Sequence, residues 1–220
     1  MRRRSQPFPL TFVPPAASIL NSLGAHIRFG LSEMIQTVFA FVLAVCFFAI
    51  EPLFRQGRDA KSLERTASDK GSSTLIVVLF WIVIILPPLL NFLQVGQIAS
   101  SSIRWLGLLI MVLGLGLRFW SMRVLGKYYT RTLRVAEKQA IVRQGPYRII
   151  RHPGYLGTIC VWIGFALAVG NWIATIILTI LLFGVYGYRI RSEEAMLINK
   201  FGNEYQEYRK RTWRLIPFIY

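Results

Sequence analysis

Cysteine, histidine and acidic residues are scarce in this 220-residue chain, which has 2 Cys, 2 His and 10 Asp plus Glu against 26 Lys plus Arg. Two cysteines are too few for a disulfide framework, and Cys46 and Cys160 lie too far in sequence from each other and from any histidine to suggest a metal site. The chain has no Walker loop and no G-x-G-x-x-G motif after a strand. We therefore expect no metal, no nucleotide cradle of these types, and packing roles for both cysteines.

Apolar residues are abundant instead. Hydrophobic residues make up 54% of the chain and aromatic residues 14%, with a mean hydropathy of +0.47, which is too apolar for a soluble domain of this size. Five apolar stretches are each about long enough to cross a bilayer. They cover residues 34–50, 75–95, 103–120, 156–169 and 172–188. The sequence therefore predicts an all-α integral membrane bundle of about five transmembrane helices, with Gly114 and Gly116 as close helix contacts.

Basic residues are concentrated in three segments, 51–73, 118–151 and 189–214, which hold 5, 9 and 7 Lys plus Arg, or 21 of the 26. Because positive residues in short loops are retained on the cytoplasmic side, these segments are predicted to share the cytoplasmic face. A net charge of +16 would indicate nucleic acid for a soluble protein, but here the charge flanks the membrane. We therefore expect anionic lipid headgroups as partners, and no nucleic acid.

Two groups of arginines do not fit this simple topology directly. Five spans with a cytoplasmic C-terminus place the N-terminus outside, although residues 2–4 are all arginine. A re-entrant or interfacial segment over residues 8–30, broken by two prolines, is an alternative that keeps them inside. Arg104 and Arg118 lie near the ends of the third stretch, which spans only if both side chains snorkel to the headgroups.

The chain divides into two unequal halves within one structural domain. Residues 1–120 are interpreted as a membrane scaffold, an N-terminal interfacial segment followed by three spans, with no constellation of catalytic residue types. Residues 121–220 are interpreted as the catalytic half. It contains a basic loop, two spans joined so tightly that they form an antiparallel hairpin, and a polar stretch without proline before Pro217. That stretch predicts a cytosolic helical extension of the last span.

Chemistry is expected where residues 142–155 meet the fourth apolar stretch, because a histidine, tyrosines, arginines and a Pro-Gly break are concentrated there. The alternative is a plain connecting loop with an interfacial tyrosine belt. On the extension, Arg189 and Glu193 are four residues apart and share one helix face. They are either site residues or a simple helical ion pair.

In this half the chain resembles the isoprenylcysteine carboxyl methyltransferase family and its relatives among membrane phospholipid methyltransferases. The resemblance covers roughly residues 126–217 and rests on an ordered set of motifs. These are Ile141-Val142-x-x-Gly145-x-Tyr147-x-x-x-Arg151-His152-Pro153-x-Tyr155, Arg189, Glu193-Glu194-x-x-Leu197, Phe201-Gly202-x-Glu204-Tyr205-x-x-Tyr208 and Ile216-Pro217.

The resemblance implies S-adenosyl-L-methionine as the cofactor, bound on the cytosolic membrane face between the His-Pro loop and the helical extension. Cofactor contacts would come from Gln139, Ala140, Ile141, Val142, Tyr147, His152, Pro153, Gly154, Tyr155 and Glu193. Family members often have histidine where this chain has Gln139, which leaves a backbone role there. Arg189 would bind the substrate carboxylate, and Arg189 with His152 would be the catalytic residues.

The resemblance implies methyl transfer to a lipophilic carboxylate that enters from the bilayer, most specifically an isoprenylcysteine-type α-carboxylate, and the residue types suit a carboxylate acceptor. A carboxylate is already ionised at neutral pH, so no general base is needed, and His152 would serve as a positioner, although a base is not excluded by the sequence. The alternatives are a phospholipid amine or a small thiol as acceptor with the same cofactor site, and a non-enzymatic membrane transporter or anchor protein. An amine acceptor must lose a proton, for which His152 is the nearby base.

Overall fold

A computed structural model of the protein describes residues 16–53, 71–126 and 140–219. The helices are α1 (Ala16–Leu53), α2 (Ser72–Phe92), α3 (Ser101–Leu125), α4 (Pro153–Val169), α5 (Trp172–Phe201) and α6 (Asn203–Lys210), with a 3-10 turn at Gly145–Arg148. No extended strand is formed within these ranges, apart from two isolated bridges. The all-α class is confirmed.

Four helical segments are long and apolar enough to cross a membrane: Gly30–Ile50, Ser72–Phe92, Ser101–Leu125 and Trp172–Phe201. The fifth apolar helix, α4, is shorter at 17 residues, about the minimum for crossing the hydrocarbon. The predicted stretches therefore lie in α1 to α5, in order, and the integral membrane bundle is confirmed. The backbone of residues 16–30 is helical and continuous with the first span, whereas residues 1–15 lie outside the described ranges.

Helices α3 and α4 pack in an antiparallel pair through glycines. A Cβ on Gly114 would lie 2.7 Å from the carbonyl oxygen of Gly157, and one on Gly107 would lie 2.7 Å from that of Gly164. Only hydrogen atoms at these positions allow the two backbones to approach so closely. The prediction for Gly114 is confirmed. It is wrong for Gly116, where a Cβ would meet no atom of the described residues within 4 Å.

The end of the bundle away from the His-Pro loop is closed by Arg104. This buried side chain forms a 2.9 Å ion pair with Glu33 of α1 and donates to the carbonyl oxygens of Ala168 and Val169, at the end of α4. The orphan carbonyls of a helix C-terminus attract a cation, so the arginine stays inside the protein. The expectation that Arg104 snorkels to the headgroups is wrong.

Arg118 is also held inside the bundle. Its Nη1 donates to the hydroxyl of Thr158 at 2.6 Å, and its guanidinium lies 4.6 Å from the ring centroid of Phe47. The snorkelling expectation is therefore wrong for Arg118 as well. Cys46 also departs from its expected packing role, since it is exposed on α1, whereas Cys160 is half-buried beside Gly114.

The hairpin of α4 and α5 turns at two residues, as predicted. Gly170 adopts a φ of +87°, and Asn171 caps α5 by accepting from the Ala174 amide at 2.8 Å. Its side-chain amide also donates to Asn91 at the end of α2. Because α4 and α5 run antiparallel, the start of α4 and the last turns of α5 lie at the opposite end of the bundle, which we call the site end.

The last span extends beyond its apolar stretch, as the sequence indicated. Helix α5 continues through residues 189–201 and stops at Gly202, whose φ of +54° and ψ of −127° suit only glycine. Helix α6 follows, and the chain then returns along the His-Pro loop. The return path makes residues 211–219 part of the site end.

Candidate active site

The His-Pro loop is fixed by backbone contacts on both sides. Gly145 has a φ of +56°, and a Cβ there would lie 2.9 Å from Val124 of α3. Further along, the Trp213 amide donates to the carbonyl of Ile149 at 2.9 Å, and the Arg151 amide donates to the carbonyl of Trp213 at 2.8 Å. Helix α4 then begins at Pro153, where a missing amide hydrogen costs nothing. The loop thus presents His152 in a defined position.

Glu194 is the centre of a buried charge cluster at the site end. It is 3% exposed, and its carboxylate accepts from Arg151 Nε at 2.9 Å and pairs with Arg214 Nη2 at 2.9 Å. Arg209 lies 3.9 Å away, and His152 Nε2 lies 3.4 Å from Oε1. A buried carboxylate needs such partners because desolvation penalises its charged form. Glu194 therefore ties the His-Pro loop and the C-terminal segment to α5.

His152 and Tyr155 form a flat pair at the start of α4. Their rings are nearly parallel, with an interplanar angle of 9° and centroids 5.7 Å apart. His152 is 5% exposed, and its Nδ1 lies 3.9 Å from the carboxylate of Glu193. Both ring nitrogens of His152 thus face carboxylate oxygens. Only the 3.4 Å contact of Nε2 with Glu194 is within hydrogen-bond range, and it fixes the orientation of the His152 ring.

The Tyr155 hydroxyl joins an acidic and a basic side chain of α5. It donates to Glu193 Oε2 at 2.6 Å and accepts from Arg189 Nε at 3.3 Å. The two residues that the sequence placed on one helix face therefore share a partner on α4. Glu193 is partly accessible, with its side chain 26% exposed, so it differs from the buried Glu194.

Arg189 is anchored by the half of the chain that the sequence interpretation treated as scaffold. It is 2% exposed, and its Nη1 donates to Ser72 Oγ at 2.7 Å and to Ser73 Oγ at 3.2 Å. Both serines lie at the beginning of α2. The sequence analysis missed this contribution. The available signal was a pair of serines directly before a membrane-length apolar run, although a serine pair does not by itself indicate which distant cation it contacts.

The remaining predicted residues lie around this group. Pro153 is buried, and the Gly154 carbonyl accepts from Thr158. Ala140 is exposed, Ile141 and Val142 are half-buried, and all three precede the Gly145 turn. Gln139 lies outside the described residues. The contacts above bring His152, Tyr155, Glu193 and Arg189 together, whereas roles for residues 139–142 as cofactor contacts stay predictions.

Tyr147 is held by a tyrosine that the sequence motif contained but did not explain. The hydroxyl of Tyr208 donates to the Tyr147 carbonyl oxygen at 2.7 Å, and its ring lies 5.8 Å from that of Tyr205. Burial raises the pKa of Tyr208 to about 12 and raises that of Tyr205 well above its usual value. Both phenols therefore stay protonated at neutral pH and can donate hydrogen bonds.

These side chains can hold a ligand of mixed charge. Glu193 can attract a cation, Arg189 an anion, and the stacked pair of His152 and Tyr155 offers an aromatic surface. Within the described parts of the chain, no group of three or more His, Cys, Asp and Glu side chains is arranged to hold a metal ion.

The chain is similar in sequence to known proteins over the region that contains the candidate site. Residues 105–199 match the sequence model of the isoprenylcysteine carboxyl methyltransferase family. A probable protein-S-isoprenylcysteine O-methyltransferase of Oryza sativa subsp. indica is 29% identical over 119 residues, which cover 53% of this chain and 62% of that protein. A protein-S-isoprenylcysteine O-methyltransferase of Saccharomyces cerevisiae is 34% identical over 125 residues, covering 56% of this chain and 52% of its own length. The similarity to these relatives thus spans about half to six-tenths of their length.

The fold is shared with a solved membrane protein. The eukaryotic intramembrane Ras methyltransferase superposes with a TM-score of 0.55 and 22% identity, over 83% of this chain and 63% of the other. The matched residues 105–199 include the His-Pro loop, the α4–α5 hairpin and the start of the helical extension. The prediction made from the motifs is therefore confirmed, and these residues match the isoprenylcysteine carboxyl methyltransferase family.

Proposed function

We propose that the protein is an integral membrane methyltransferase that uses S-adenosyl-L-methionine to methylate the carboxylate of a lipophilic substrate, most specifically an isoprenylcysteine-type α-carboxylate. The observation that carries the proposal is the Tyr155 hydroxyl, which lies 2.6 Å from Glu193 and 3.3 Å from Arg189. An anionic and a cationic group are thus held on either side of one aromatic residue. Methyl transfer from a cationic donor to an anionic acceptor calls for such an arrangement.

The residues fit the proposed cofactor, which carries an ammonium, a sulfonium, a carboxylate and a flat adenine. Of the two neighbouring glutamates on α5, Glu193 has accessible surface, whereas Glu194 is buried among arginines. The aromatic surface of Tyr155 favours a nearby cation. Ala140, Ile141 and Val142 would line the adenine and ribose, as the family resemblance implies. When bound, the cofactor would supply the electrophilic methyl group.

Arg189 is assigned the role of binding the carboxylate of the methyl acceptor. Its guanidinium is fixed by Ser72 on one side and by Tyr155 on the other, which sets its position before a substrate arrives. A fixed, largely desolvated arginine attracts a carboxylate strongly and needs little rearrangement to align it. The start of α2 and the part of α5 around the buried Arg189 would also strip water from the carboxylate.

The placement of His152 favours a carboxylate over an amine acceptor. An amine must lose a proton during methyl transfer, and a base for that proton needs a free ring nitrogen. His152 is only 5% exposed, its Nε2 is held 3.4 Å from the buried Glu194 carboxylate, and its Nδ1 lies 3.9 Å from Glu193, so an incoming amine has little access to either nitrogen. His152 is therefore assigned to positioning. Phospholipid amines and small thiols are the alternative acceptors, and a transporter or anchor without catalysis is the alternative class of protein.

The site is assigned to the cytoplasmic face, where the cofactor is made and where basic loops are retained. The site end carries the segments 118–126, 140–151 and 189–214, and these hold most of the described basic residues. Lipophilic substrate would enter laterally from the bilayer, and anionic headgroups would contact the basic loops.

The test is calorimetry of the detergent-purified protein with S-adenosylhomocysteine, followed by methyl transfer to a farnesylcysteine analogue. We expect micromolar binding to the wild type and binding about ten-fold weaker, about 1.4 kcal/mol, for Glu193→Gln. Glu204→Gln is the matched control, because Glu204 is exposed and pairs only at the surface with Arg143 at 2.8 Å. No binding to the wild type, or equal loss in both variants, would refute the cofactor site. Methylation of amines or thiols alone would refute the acceptor.

A further inference from the structure

The C-terminal turn exposes apolar side chains beside the His-Pro loop. Phe218 is 85% exposed and Ile219 is 78% exposed, and Trp213 and Ile149 are also on the surface. The Trp213 and Phe218 rings lie 5.5 Å apart, and the Trp213 amide bonds to the Ile149 carbonyl. These four residues therefore form one patch, which we call the C-terminal anchor.

The backbone at Phe218 gives this patch an unusual feature. Its φ is +67°, in the left-handed region that side chains other than glycine rarely adopt. A turn precedes it, in which the Ile219 amide donates to the Ile216 carbonyl at 3.2 Å. The strained turn directs a large ring outward rather than into the protein.

Basic residues flank the anchor. Arg148 directly precedes Ile149, Arg211 lies two residues before Trp213, and both arginines are exposed. Aromatic residues next to exposed arginines are typical of segments that lie at the headgroup level of a bilayer. We propose that the C-terminal anchor inserts into the interfacial layer of a leaflet that contains anionic lipids, with Arg148 and Arg211 contacting the lipid phosphates and carboxylates.

Two adjacent backbone hydrogen bonds connect the anchor to the candidate site. The Arg151 amide donates to the Trp213 carbonyl, and the His152 amide donates to the Arg214 carbonyl at 3.2 Å. A membrane-inserted anchor would therefore hold His152 close to the membrane surface. This last step rests on the proposed function, whereas lipid insertion itself does not.

The test uses the full chain with Cys46→Ala and Cys160→Ala, carrying a bimane label at Phe218→Cys, in nanodiscs of phosphatidylcholine. Lipids with a doxyl group at a shallow acyl position should quench this label at least about two-fold more than lipids with a deep doxyl group. Gln206→Cys, on the exposed face of α6, is the matched control and should show little quenching from either lipid. Equal quenching at the two labelled positions would overturn the anchor.

The charge component is tested by adding phosphatidylserine to about 30% of the lipid. Shallow quenching at Phe218→Cys should increase, and Arg148→Gln with Arg211→Gln should abolish the increase, whereas the exposed Lys200→Gln should keep it. An increase that survives in the double variant would overturn the role of the two arginines. Binding of S-adenosylhomocysteine is measured on the same samples. Binding without quenching would refute the anchor alone, and quenching without binding would refute the proposed function alone.

Discussion

Arg189 has more partners in the folded protein than a helical ion pair requires. Its guanidinium reaches Ser72 and Ser73 on α2 and Tyr155 on α4, in addition to lying four residues before Glu193. A planar, forked donor can serve several acceptors at once, whereas an ammonium is a compact point charge. The two sequence-based interpretations of Arg189 therefore predict different behaviour on replacement by lysine.

Arg189→Lys is expected to retain S-adenosylhomocysteine binding within about three-fold and to lose methyl transfer by about 100-fold, because lysine keeps the charge and loses bidentate recognition of a carboxylate. Steady-state transfer and calorimetry on the same preparation provide the measurement. Arg191→Lys, on the exposed side of the same helix, serves as the control. Normal turnover by Arg189→Lys would leave this arginine with a helical ion-pair role only.

Glu194 should matter for stability more than any exposed acidic residue. Glu194→Gln leaves Arg151, Arg214 and His152 without their shared carboxylate in a buried site, and breaking a buried pair costs about 3 to 5 kcal/mol. Thermal unfolding in detergent should therefore show a clearly lower Tm. Glu204→Gln, which removes the exposed pair with Arg143, should cost less than about 1 kcal/mol. Similar Tm values for both variants would contradict the structural role of Glu194.

At the scale of helices, the glycine contact between α3 and α4 offers a matched pair of positions two residues apart. In Gly114→Leu, even the Cβ would lie only 2.7 Å from the Gly157 carbonyl oxygen. In Gly116→Leu, the Cβ would meet no atom of the described residues within 4 Å. Overpacking of this kind costs about 1 to 3 kcal/mol, and more where backbones must separate. We expect a lower Tm and reduced cofactor binding for Gly114→Leu only. Equal tolerance at both positions would refute the close packing.

Much of the arrangement of the helices could be predicted from the sequence. Apolar length gave the order of α1 to α5, and the tight turn at Gly170 and Asn171 indicated the hairpin. The positions of the Arg104 and Arg118 side chains were not predictable, because their partners lie far away in the sequence: Arg104 pairs with the Glu33 carboxylate, and Arg118 donates a hydrogen bond to the Thr158 hydroxyl. For the same reason the contact of Ser72 with Arg189 was not predicted, whereas the family resemblance did imply that His152, Tyr155 and Glu193 line one site.

For the whole molecule, the orientation of the helical bundle in the membrane stays a prediction. Ser100, at the start of α3, and Lys210, at the end of α6, are exposed at opposite ends of the bundle. In intact cells, with the native cysteines replaced by alanine, Ser100→Cys should react with an impermeant thiol reagent and Lys210→Cys should react only after lysis, because basic segments are retained inside. The reverse pattern would place the site end away from the cytoplasm.

The contacts of Arg104 have a mechanical consequence for substrate entry. This one side chain holds α1 through Glu33 and the end of α4 through two carbonyls, and Asn171 ties the same end to α2. Helices pinned together at one end can separate only at the other, where they pivot by a small angle. If Arg189 binds a lipid-linked carboxylate, as proposed, the lipid chain would enter between the helices from the half of the bilayer nearest the site end, with its polar head at the interface and its tail pointing towards the Arg104 end.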